Sequence, residues 1–140
     1  MTIKTTIHLN FRGEARAALE FYHSVFGGQI VLATYEQDGT VEELGQADQI
    51  IWGQVESAEG FHVMAYDVQP SRGHDAGENA VFVSVRGETA EEIQDYWGKL
   101  AVGGTVLQPI EPSGWSPLYG MLKDRFGVTW VMDVAVAYGG

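Results

Sequence analysis

Apolar and polar residues alternate at the beginning of the chain. Ile7, Leu9 and Phe11 lie at every second position, and the polar residues His8 and Asn10 lie between them. This period of two is typical of a β-strand that buries one face and leaves the other open. We therefore expect helices to cover the side of Leu9 and Phe11, and we expect His8 and Asn10 to point away from them.

The spacing of apolar residues changes to three and four directly after this strand. The apolar residues of this stretch are Ala15, Ala18, Leu19, Tyr22, Val25 and Phe26. They predict an amphipathic helix that ends at Gly27-Gly28, because glycine readily takes the left-handed backbone of a C-cap. The rest of this half predicts a polar loop over residues 36–48 and three strands, over residues 29–35, 49–56 and 61–66.

The second half of the chain repeats the first. The segment that begins at His8 returns at Phe82, and both copies end in Arg-Gly-Glu. In this alignment Phe82 is the counterpart of His8. The two Arg-Gly-Glu triplets then fall at equivalent turns between strand and helix, where glycine eases the bend and glutamate favours the helix N-terminus. Such a repeat predicts two copies of one module, which pack together because each alone buries too little of its sheet.

The second half also predicts the same order of elements. Thr89 and Glu92 have the spacing of a capping box at the start of a helix, which ends at Gly103-Gly104. The strands are predicted over residues 80–86, 105–110, 119–123 and 128–134. We therefore expect one α+β domain over residues 1–140, built from two paired β-α-β-β-β modules, residues 3–68 and 80–138, with a linker at residues 69–79.

Composition and charge exclude several classes of protein. The 140 residues are 45% hydrophobic, which suits one globular domain. Cysteine is absent, which excludes disulfides and thiolate metal sites. A net charge of −11 opposes binding to phosphate backbones, so we expect no nucleic-acid partner. No apolar run approaches the roughly 18 residues that cross a bilayer, and the first residues lack the apolar region of a signal peptide, so we expect a cytoplasmic protein without a membrane partner.

Three segments resemble a known superfamily. They are residues 18–28, 103–106 and 119–128. These segments resemble the vicinal oxygen chelate superfamily of glyoxalases, bleomycin resistance proteins and dioxygenases. Within it they are most similar to the PhnB-like proteins, some of which carry a 3-demethylubiquinone methyltransferase label. The resemblance implies a glyoxalase/bleomycin resistance-like fold whose sheets curl into a cup, a homodimer, and ligand binding or chemistry inside the cup.

Strand alternation then indicates which side chains line the predicted cup. His8 and Asp133 are the candidate catalytic residues, because an imidazole or a carboxylate can act as a general base. Small-molecule sites combine apolar walls with a few convergent polar groups. The candidate ligand-binding residues are Asn10, Trp52, Gln54, His62, Met64, Tyr66, Phe82, Ser84, Trp115, Tyr119, Thr129 and Val131. Trp115 and Tyr119 are expected to roof the cup over a small-molecule ligand.

Superfamily members that hold a metal place its ligands on the first and last strands of both modules. By resemblance, those positions are His8, Met64, Phe82 and Val131. Phenylalanine and valine do not coordinate a cation, and methionine is a poor ligand for a hard one. We therefore expect no metal of the glyoxalase type and no other cofactor. An alternative set of His8, His62 and Asp133 keeps imidazole and carboxylate donors and stays open at this point.

Two classes of function remain open. The first is a metal-independent protein that encloses a small, partly aromatic or cationic molecule. The second is an enzyme, either a lyase or isomerase with His8 or Asp133 as its base, or a dioxygenase with the alternative metal set. The sequence has no phosphate-binding glycine loop, nucleophile elbow or dinucleotide fingerprint. The module order does not build the parallel sheet expected of a methyltransferase.

Overall fold

Each half of the chain folds in the order of elements that the repeat predicts. The computed structural model describes residues 2–136. Its contacts divide the chain into two units between Gly77 and Glu78. This boundary lies inside the predicted linker, residues 69–79. Unit 1 precedes the boundary and unit 2 follows it.

Unit 1 forms one mixed sheet. Its elements within the described residues are β1 (Ile7–Phe11), α1 (Ala15–Phe26), β2 (Gln29–Thr34), α2 (Tyr35–Asp38), β3 (Ile50–Glu56) and β4 (His62–Asp67). The strand order is β1-β4-β3-β2, in which β1 and β4 are parallel and the other pairs antiparallel. The short helix α2 is an addition to the prediction. Thr34 and Gln37 cap it reciprocally, each side chain accepting a hydrogen bond from the other's backbone N–H.

Helix α1 packs on one face of this sheet through the apolar stripe seen in the sequence. Its buried residues are Ala15, Ala18, Leu19, Tyr22, Val25 and Phe26. Leu19 lies directly over Gly53 of β3, where an added Cβ would come within 2.5 Å of the leucine Cδ1. Leu9 and Phe11 are buried on the same side, whereas His8 and Asn10 are exposed. The predicted faces of β1 are therefore confirmed.

A buried carboxylate holds the start of α1 to the sheet of unit 1. Asp67 Oδ1 accepts hydrogen bonds from the backbone N–H groups of Gly13 at 2.7 Å and Ala15 at 3.0 Å. Its Oδ2 accepts from the N–H of Ile50 at 2.9 Å. Asp67 is only 1% exposed. One side chain thus pairs three backbone donors, of which the buried N–H groups of Ala15 and Ile50 would otherwise be left unsatisfied.

Unit 2 repeats this architecture. Its elements within the described residues are β5 (Val83–Gly87), α3 (Ala90–Leu100), β6 (Thr105–Glu111), β7 (Tyr119–Lys123) and β8 (Thr129–Val134). The strand order is β5-β8-β7-β6, and again only the first pair is parallel. Thr89 caps α3 by accepting a hydrogen bond from Glu92 N, which is the first half of the predicted capping box. Trp97 of α3 lies over Gly120 of β7.

The predicted fold class is confirmed, since both units are open β-α-β-β-β sheets of the α+β class. The register nevertheless corrects the internal alignment. His8 lies beside Met64 in unit 1, and Ser84 lies beside Val131 in unit 2. Met64 and Val131 are each the third residue of the last strand in their unit. The counterpart of His8 is therefore Ser84, and the prediction of Phe82 was wrong.

The Arg-Gly-Glu triplets are not at equivalent turns either. Arg12 and Gly13 follow β1, whereas Arg86 and Gly87 belong to β5, where Arg86 lies beside Asp133. The gap-free alignment of the two triplets fails because the connection from strand to helix differs between the units. Among residues 2–136, no helix combines the length and the apolar character needed to span a membrane.

Candidate functional site

One face of the unit 1 sheet carries half of the candidate residues. It points away from α1, and we call it the distal face of unit 1. Its candidate side chains and their neighbours are Thr6, His8, Asn10, Trp52, Gln54, Glu56, His62, Met64 and Tyr66. The register places Met64 between His8 and Gln54, and it places Tyr66 beside Asn10. Three adjacent strands therefore bring histidine, amide and aromatic side chains to one surface.

His8 is held by the residue two positions along the same strand. Its Nδ1 lies 2.8 Å from Asn10 Oδ1. An amide oxygen can only accept, so Nδ1 carries the proton and donates it. The ring of Tyr66 packs edge-on against the imidazole, with centroids 5.3 Å apart and planes at 75°. In the neutral ring the lone pair is consequently on Nε2, which can accept a hydrogen bond or a proton.

His62 has the opposite arrangement. Its Nε2 lies 2.8 Å from Gln54 Oε1 and must therefore donate. Its Nδ1 lies 3.0 Å from the hydroxyl of Thr6, from which the neutral ring accepts. Glu56 Oε2 is 3.7 Å from the same nitrogen. Both ring nitrogens of His62 are thus engaged within the sheet, in contrast to those of His8.

An indole and a thioether form the apolar part of this face. Trp52 Nε1 donates to Met64 Sδ at 3.4 Å, a weak hydrogen bond that uses the only polar group of the indole. Both residues are partly buried. Trp52 therefore presents an aromatic surface rather than a hydrogen-bond donor to a molecule that lies on the face.

The distal face of unit 2, which points away from α3, has different chemistry. Its side chains include Ser84, Arg86, Tyr119, Met121, Thr129, Val131 and Asp133. Arg86 Nε donates to Asp133 Oδ1 at 3.1 Å, and the side chain of Asp133 is 11% exposed. The carboxylate proposed as a base is thus already the partner of a guanidinium.

Trp115 lies in a loop that hydrogen bonds hold in shape. The hydroxyl of Ser113 accepts from the backbone N–H groups of Trp115 at 3.4 Å and Ser116 at 3.2 Å, and Ser113 N donates to Ser116 O. The indole remains 55% exposed and meets Tyr119 edge-on at 5.1 Å. Phe82 lies directly before β5 and is 37% exposed.

The structure divides the candidate residues between the two units. Those on the distal face of unit 1 are His8, Asn10, Trp52, Gln54, His62, Met64 and Tyr66. Those on the distal face of unit 2 are Ser84, Tyr119, Thr129, Val131 and Asp133. The two candidate catalytic residues, His8 and Asp133, therefore belong to different units, and their roles stay predictions.

Sequence reasoning missed three polar residues of these faces that contact candidate residues. Thr6 and Glu56 contact His62, and Arg86 pairs with Asp133. The signal for each was the same period of two that identified its neighbours. Arg86 was overlooked because the Arg-Gly-Glu repeat suggested a turn at that position.

The donor groups do not fit a metal site of the glyoxalase type. Within residues 2–136, no group of three or more His, Asp, Glu or Cys side chains is arranged to hold a metal ion. The corrected register replaces Phe82 by Ser84 among the superfamily's ligand positions, which leaves His8 as their one strong donor. The alternative set is divided, with His8 and His62 on unit 1 and Asp133 on unit 2.

Comparison with protein families gives one match that covers most of the chain. The model of the family described as 3-demethylubiquinone-9 3-methyltransferase matches residues 3–132. A search of curated proteins finds no significant match.

Solved structures with the same fold span nearly the whole chain. A Pseudomonas aeruginosa protein is 28% identical, with a TM-score of 0.82, over 95% of this chain and 98% of its own. A putative 3-demethylubiquinone-9 3-methyltransferase, PhnB protein, from Bacillus cereus is 29% identical, with a TM-score of 0.74, over 95% of this chain and 100% of its own. A glyoxylase/bleomycin resistance protein/dioxygenase domain from Frankia is 10% identical, with a TM-score of 0.68 and coverage of 97% and 99%, and shows the fold alone.

Proposed function

Because the chain belongs to the family described as 3-demethylubiquinone-9 3-methyltransferase, whose PhnB-like members have the glyoxalase/bleomycin resistance fold, we propose that it binds a small organic molecule. The ligand lies on the distal face of unit 1, without a metal of the glyoxalase type. The observation that carries this proposal is the convergence of His8, Asn10, Trp52 and Tyr66 on one sheet face. Such a mixture of aromatic surface and a few oriented polar groups is what small-molecule sites contain.

The groups on this face divide into those that are already paired and those that are available. Hydrogen bonds within the sheet use both ring nitrogens of His62 and the indole N–H of Trp52. Within the described chain, no partner is hydrogen-bonded to His8 Nε2 or to the amide nitrogen of Asn10. A ligand on this face therefore meets an aromatic surface beside one basic nitrogen and one amide donor.

Ligand-observed NMR with a library of small aromatic compounds tests the proposal. A ligand found in the screen should bind Trp52→Leu and His8→Ala at least about tenfold more weakly than the natural protein, since each removes a contact of about 1.4 kcal/mol or more. The counterparts in unit 2, Tyr119→Leu and Ser84→Ala, should change the affinity by less than about threefold. His74→Gln, in the linker, is the control for loss of a histidine elsewhere.

Two results would contradict the proposal. One is a screen in which no compound binds to the folded protein. The other is a ligand whose affinity depends on Ser84 and Tyr119 more than on His8 and Trp52, which would move the site to the distal face of unit 2.

The orientation of His8 favours a second candidate function, general-base catalysis by a lyase or isomerase. The hydrogen bond from Nδ1 to Asn10 leaves Nε2 as the proton acceptor, which is the arrangement a catalytic histidine needs. In that case His8→Ala should abolish turnover of a substrate but weaken its binding only modestly. Equal turnover by the variant would exclude His8 as the base.

We do not propose methyl transfer as an activity of this protein. Each of its four-stranded sheets contains a single parallel pair. The nucleotide-like donors of group transfer are typically bound at the carboxyl ends of doubly wound parallel sheets. A binding measurement with S-adenosylmethionine checks this expectation, and saturable binding would overturn it.

We further propose that the protein is a homodimer. Val106 and Leu107 are exposed on the edge strand β6 of unit 2. Exposed apolar edge strands are usually covered in stable proteins. Sedimentation at micromolar concentration should show a dimer, and a monomer alone would contradict the proposal.

A further inference from the structure

The two histidines of the distal face of unit 1 are fixed by different partners. His8 has Asn10 Oδ1 at its Nδ1, and His62 has Gln54 Oε1 at its Nε2. Both partners are amide oxygens, which accept and never donate. The proton must therefore be on Nδ1 in His8 and on Nε2 in His62. The neutral rings are opposite tautomers, although they lie on neighbouring strands of one sheet.

We infer that Asn10 is a positioning residue that turns Nε2 of His8 into the acceptor for a planar, weakly acidic ligand with an O–H or N–H donor. The part of this inference that concerns the ligand rests on the proposed function. The part that concerns the tautomer of His8 does not, because it follows from the hydrogen bond between His8 and Asn10 alone.

The remaining contacts of His8 support this orientation. The ring of Tyr66 lies edge-on at 5.3 Å and restricts how the imidazole turns. His8 is exposed, so Nε2 is within reach of a molecule from solution. Residues 2–136 supply no hydrogen-bond partner for Nε2. A bound molecule that donates a hydrogen bond would therefore satisfy a group that has no other protein partner in this unit.

The charges and aromatic rings of the protein narrow the ligand class. The net charge of −11 and the carboxylate of Glu56 near His62 oppose a ligand that arrives as an anion. A neutral molecule with an O–H or N–H avoids this repulsion and still reaches Nε2. The rings of Trp52 and Tyr66 favour a flat, conjugated skeleton, because such skeletons stack on aromatic side chains.

Nitrogen-15 NMR of the histidine rings tests the tautomers at a pH where both rings are neutral. The expected spectrum shows a protonated Nδ1 in His8 and a protonated Nε2 in His62. Asn10→Leu should remove the preference of His8, while Asn10→Asp, which keeps an acceptor oxygen, should restore it. Gln54→Leu is the matched control, since it should alter His62 and leave His8 unchanged.

The ligand class is tested with the phenol 2-naphthol and its methyl ether, which differ by a methyl group on the donor oxygen and are both uncharged near neutral pH. The natural protein should bind the phenol about tenfold more tightly than the ether, which corresponds to one hydrogen bond to a well-placed acceptor. Asn10→Leu should reduce this ratio to about twofold or less, and Asn10→Asp should recover most of it. His74→Gln, in the linker, should leave the ratio unchanged.

The positioning role of Asn10 and the proposed class of ligand can be disproved separately. A protonated Nε2 in His8 of the natural protein, or a tautomer that Asn10→Leu does not change, would overturn the positioning role of Asn10. Equal binding of phenol and ether, or binding of neither, would overturn the ligand class. If other aromatic compounds still bind to this face, the proposed function survives that result, and if none does, the proposed function fails with it.

Discussion

The distal faces of the two units occupy the same positions in sheets of the same strand order, yet their chemistry differs. Where unit 1 has His8 and Asn10, unit 2 has Ser84 and Arg86. In unit 1 the side chains pair so that a ring nitrogen is left available. In unit 2 the charge of Arg86 is matched by Asp133. Strand register therefore determines where a side chain lies, whereas its hydrogen-bond partners determine which of its atoms can contact a ligand.

The sheet faces covered by the helices, unlike the distal faces, are similar in the two units. A glycine of the third strand lies under a large helix side chain in both units, Gly53 under Leu19 and Gly120 under Trp97. Both glycines leave room for a bulky side chain where a Cβ would collide. The packing of helix on sheet is thus alike in the two units, and the divergence is concentrated on the distal faces.

Substitutions at the end of the last strand should show the largest difference in stability between the units. Unit 1 has Asp67 at this position, and unit 2 has Val134. Asp67→Ala leaves three backbone N–H groups without this acceptor, two of them buried, so we expect the free energy of unfolding to fall by about 3–5 kcal/mol. Val134→Ala removes only two methyl groups and should lower it by about 1–2 kcal/mol. Urea denaturation followed by circular dichroism measures both. Equal losses would show that Asp67 does not anchor α1.

Substitution of the glycines under the helices by alanine should give the next largest loss of stability. In Gly120→Ala the new Cβ meets the Trp97 ring at 2.8 Å and the backbone Cα of Ile110 at 2.9 Å. Neither group can move easily, so we expect a loss of about 2–3 kcal/mol in unfolding free energy. In Gly53→Ala the new Cβ also meets one backbone atom, the O of Val31 at 2.9 Å, but its closest neighbour is the flexible end of Leu19, so the loss should be smaller, about 1–2 kcal/mol. Thermal melting of both variants checks the order, and a larger loss at Gly53 would reverse it.

The ion pair of unit 2 should matter more for stability than the corresponding pair of unit 1. Arg86→Met leaves the mostly buried carboxylate of Asp133 without this partner, for an expected loss of about 1–2 kcal/mol. Arg86 is half exposed, so solvent screening keeps the effect modest. Asn10→Ala, at the matching position, should lose less than about 0.5 kcal/mol because both His8 and Asn10 are exposed. A larger loss for Asn10→Ala would mean that the pair with His8 is structural.

A smaller effect than that of Arg86→Met concerns a phenol for which unit 2 has no equivalent, since Tyr35 follows β2 whereas Pro112 follows β6. Burial, and then the neighbouring Tyr66, Asp67 and Glu42, raise the pKa of Tyr35 above its ordinary value of 10.0. The folded protein therefore keeps this proton after the unfolded chain has released it. The resulting stabilisation is complete below pH 10 and is lost as the pH rises from 10 through the raised pKa.

Replacement of this phenol isolates its contribution. Tyr35→Phe also removes the hydrogen bond from the hydroxyl to Asp67 O, at 2.6 Å, which should lower the unfolding free energy by about 1 kcal/mol at neutral pH. Because the raised pKa is then absent, the difference between the variant and the natural protein should shrink above pH 10. A difference that is constant with pH, measured by urea denaturation at each pH, would contradict the shift.

The fold was largely predictable because its signals are local. The period of two in β1, the apolar stripe of α1 and the glycine that ends it each gave the element that the structure contains, whereas α3 ends at Leu100, before the predicted Gly103-Gly104. The helix α2 was missed because its stability comes from the reciprocal caps of Thr34 and Gln37, whereas the polar character of residues 36–48 suggested a loop.

The site was predictable only in part. Alternation identified His8, Gln54 and His62 as residues of one face, since the period of two is a property of the strand itself. It did not give the tautomers of the histidines, which depend on contacts with Asn10 and with other strands. It also misassigned Phe82 as the counterpart of His8, because a gap-free repeat cannot show a change in the length of a connection.

The shared register has a consequence for how such a protein can change its ligand over evolutionary time. Since Ser84 and Arg86 stand at the positions of His8 and Asn10, two substitutions would place a histidine-amide pair at the same register of the second sheet, with loss of the ion pair between Arg86 and Asp133. In a duplicated sheet of this kind, each position of one distal face has a structural counterpart on the other. Substitutions on one distal face can change the ligand specificity while the other face keeps its own. The glycines under the helices leave no room for larger residues on the covered faces, so such substitutions are confined to the distal faces.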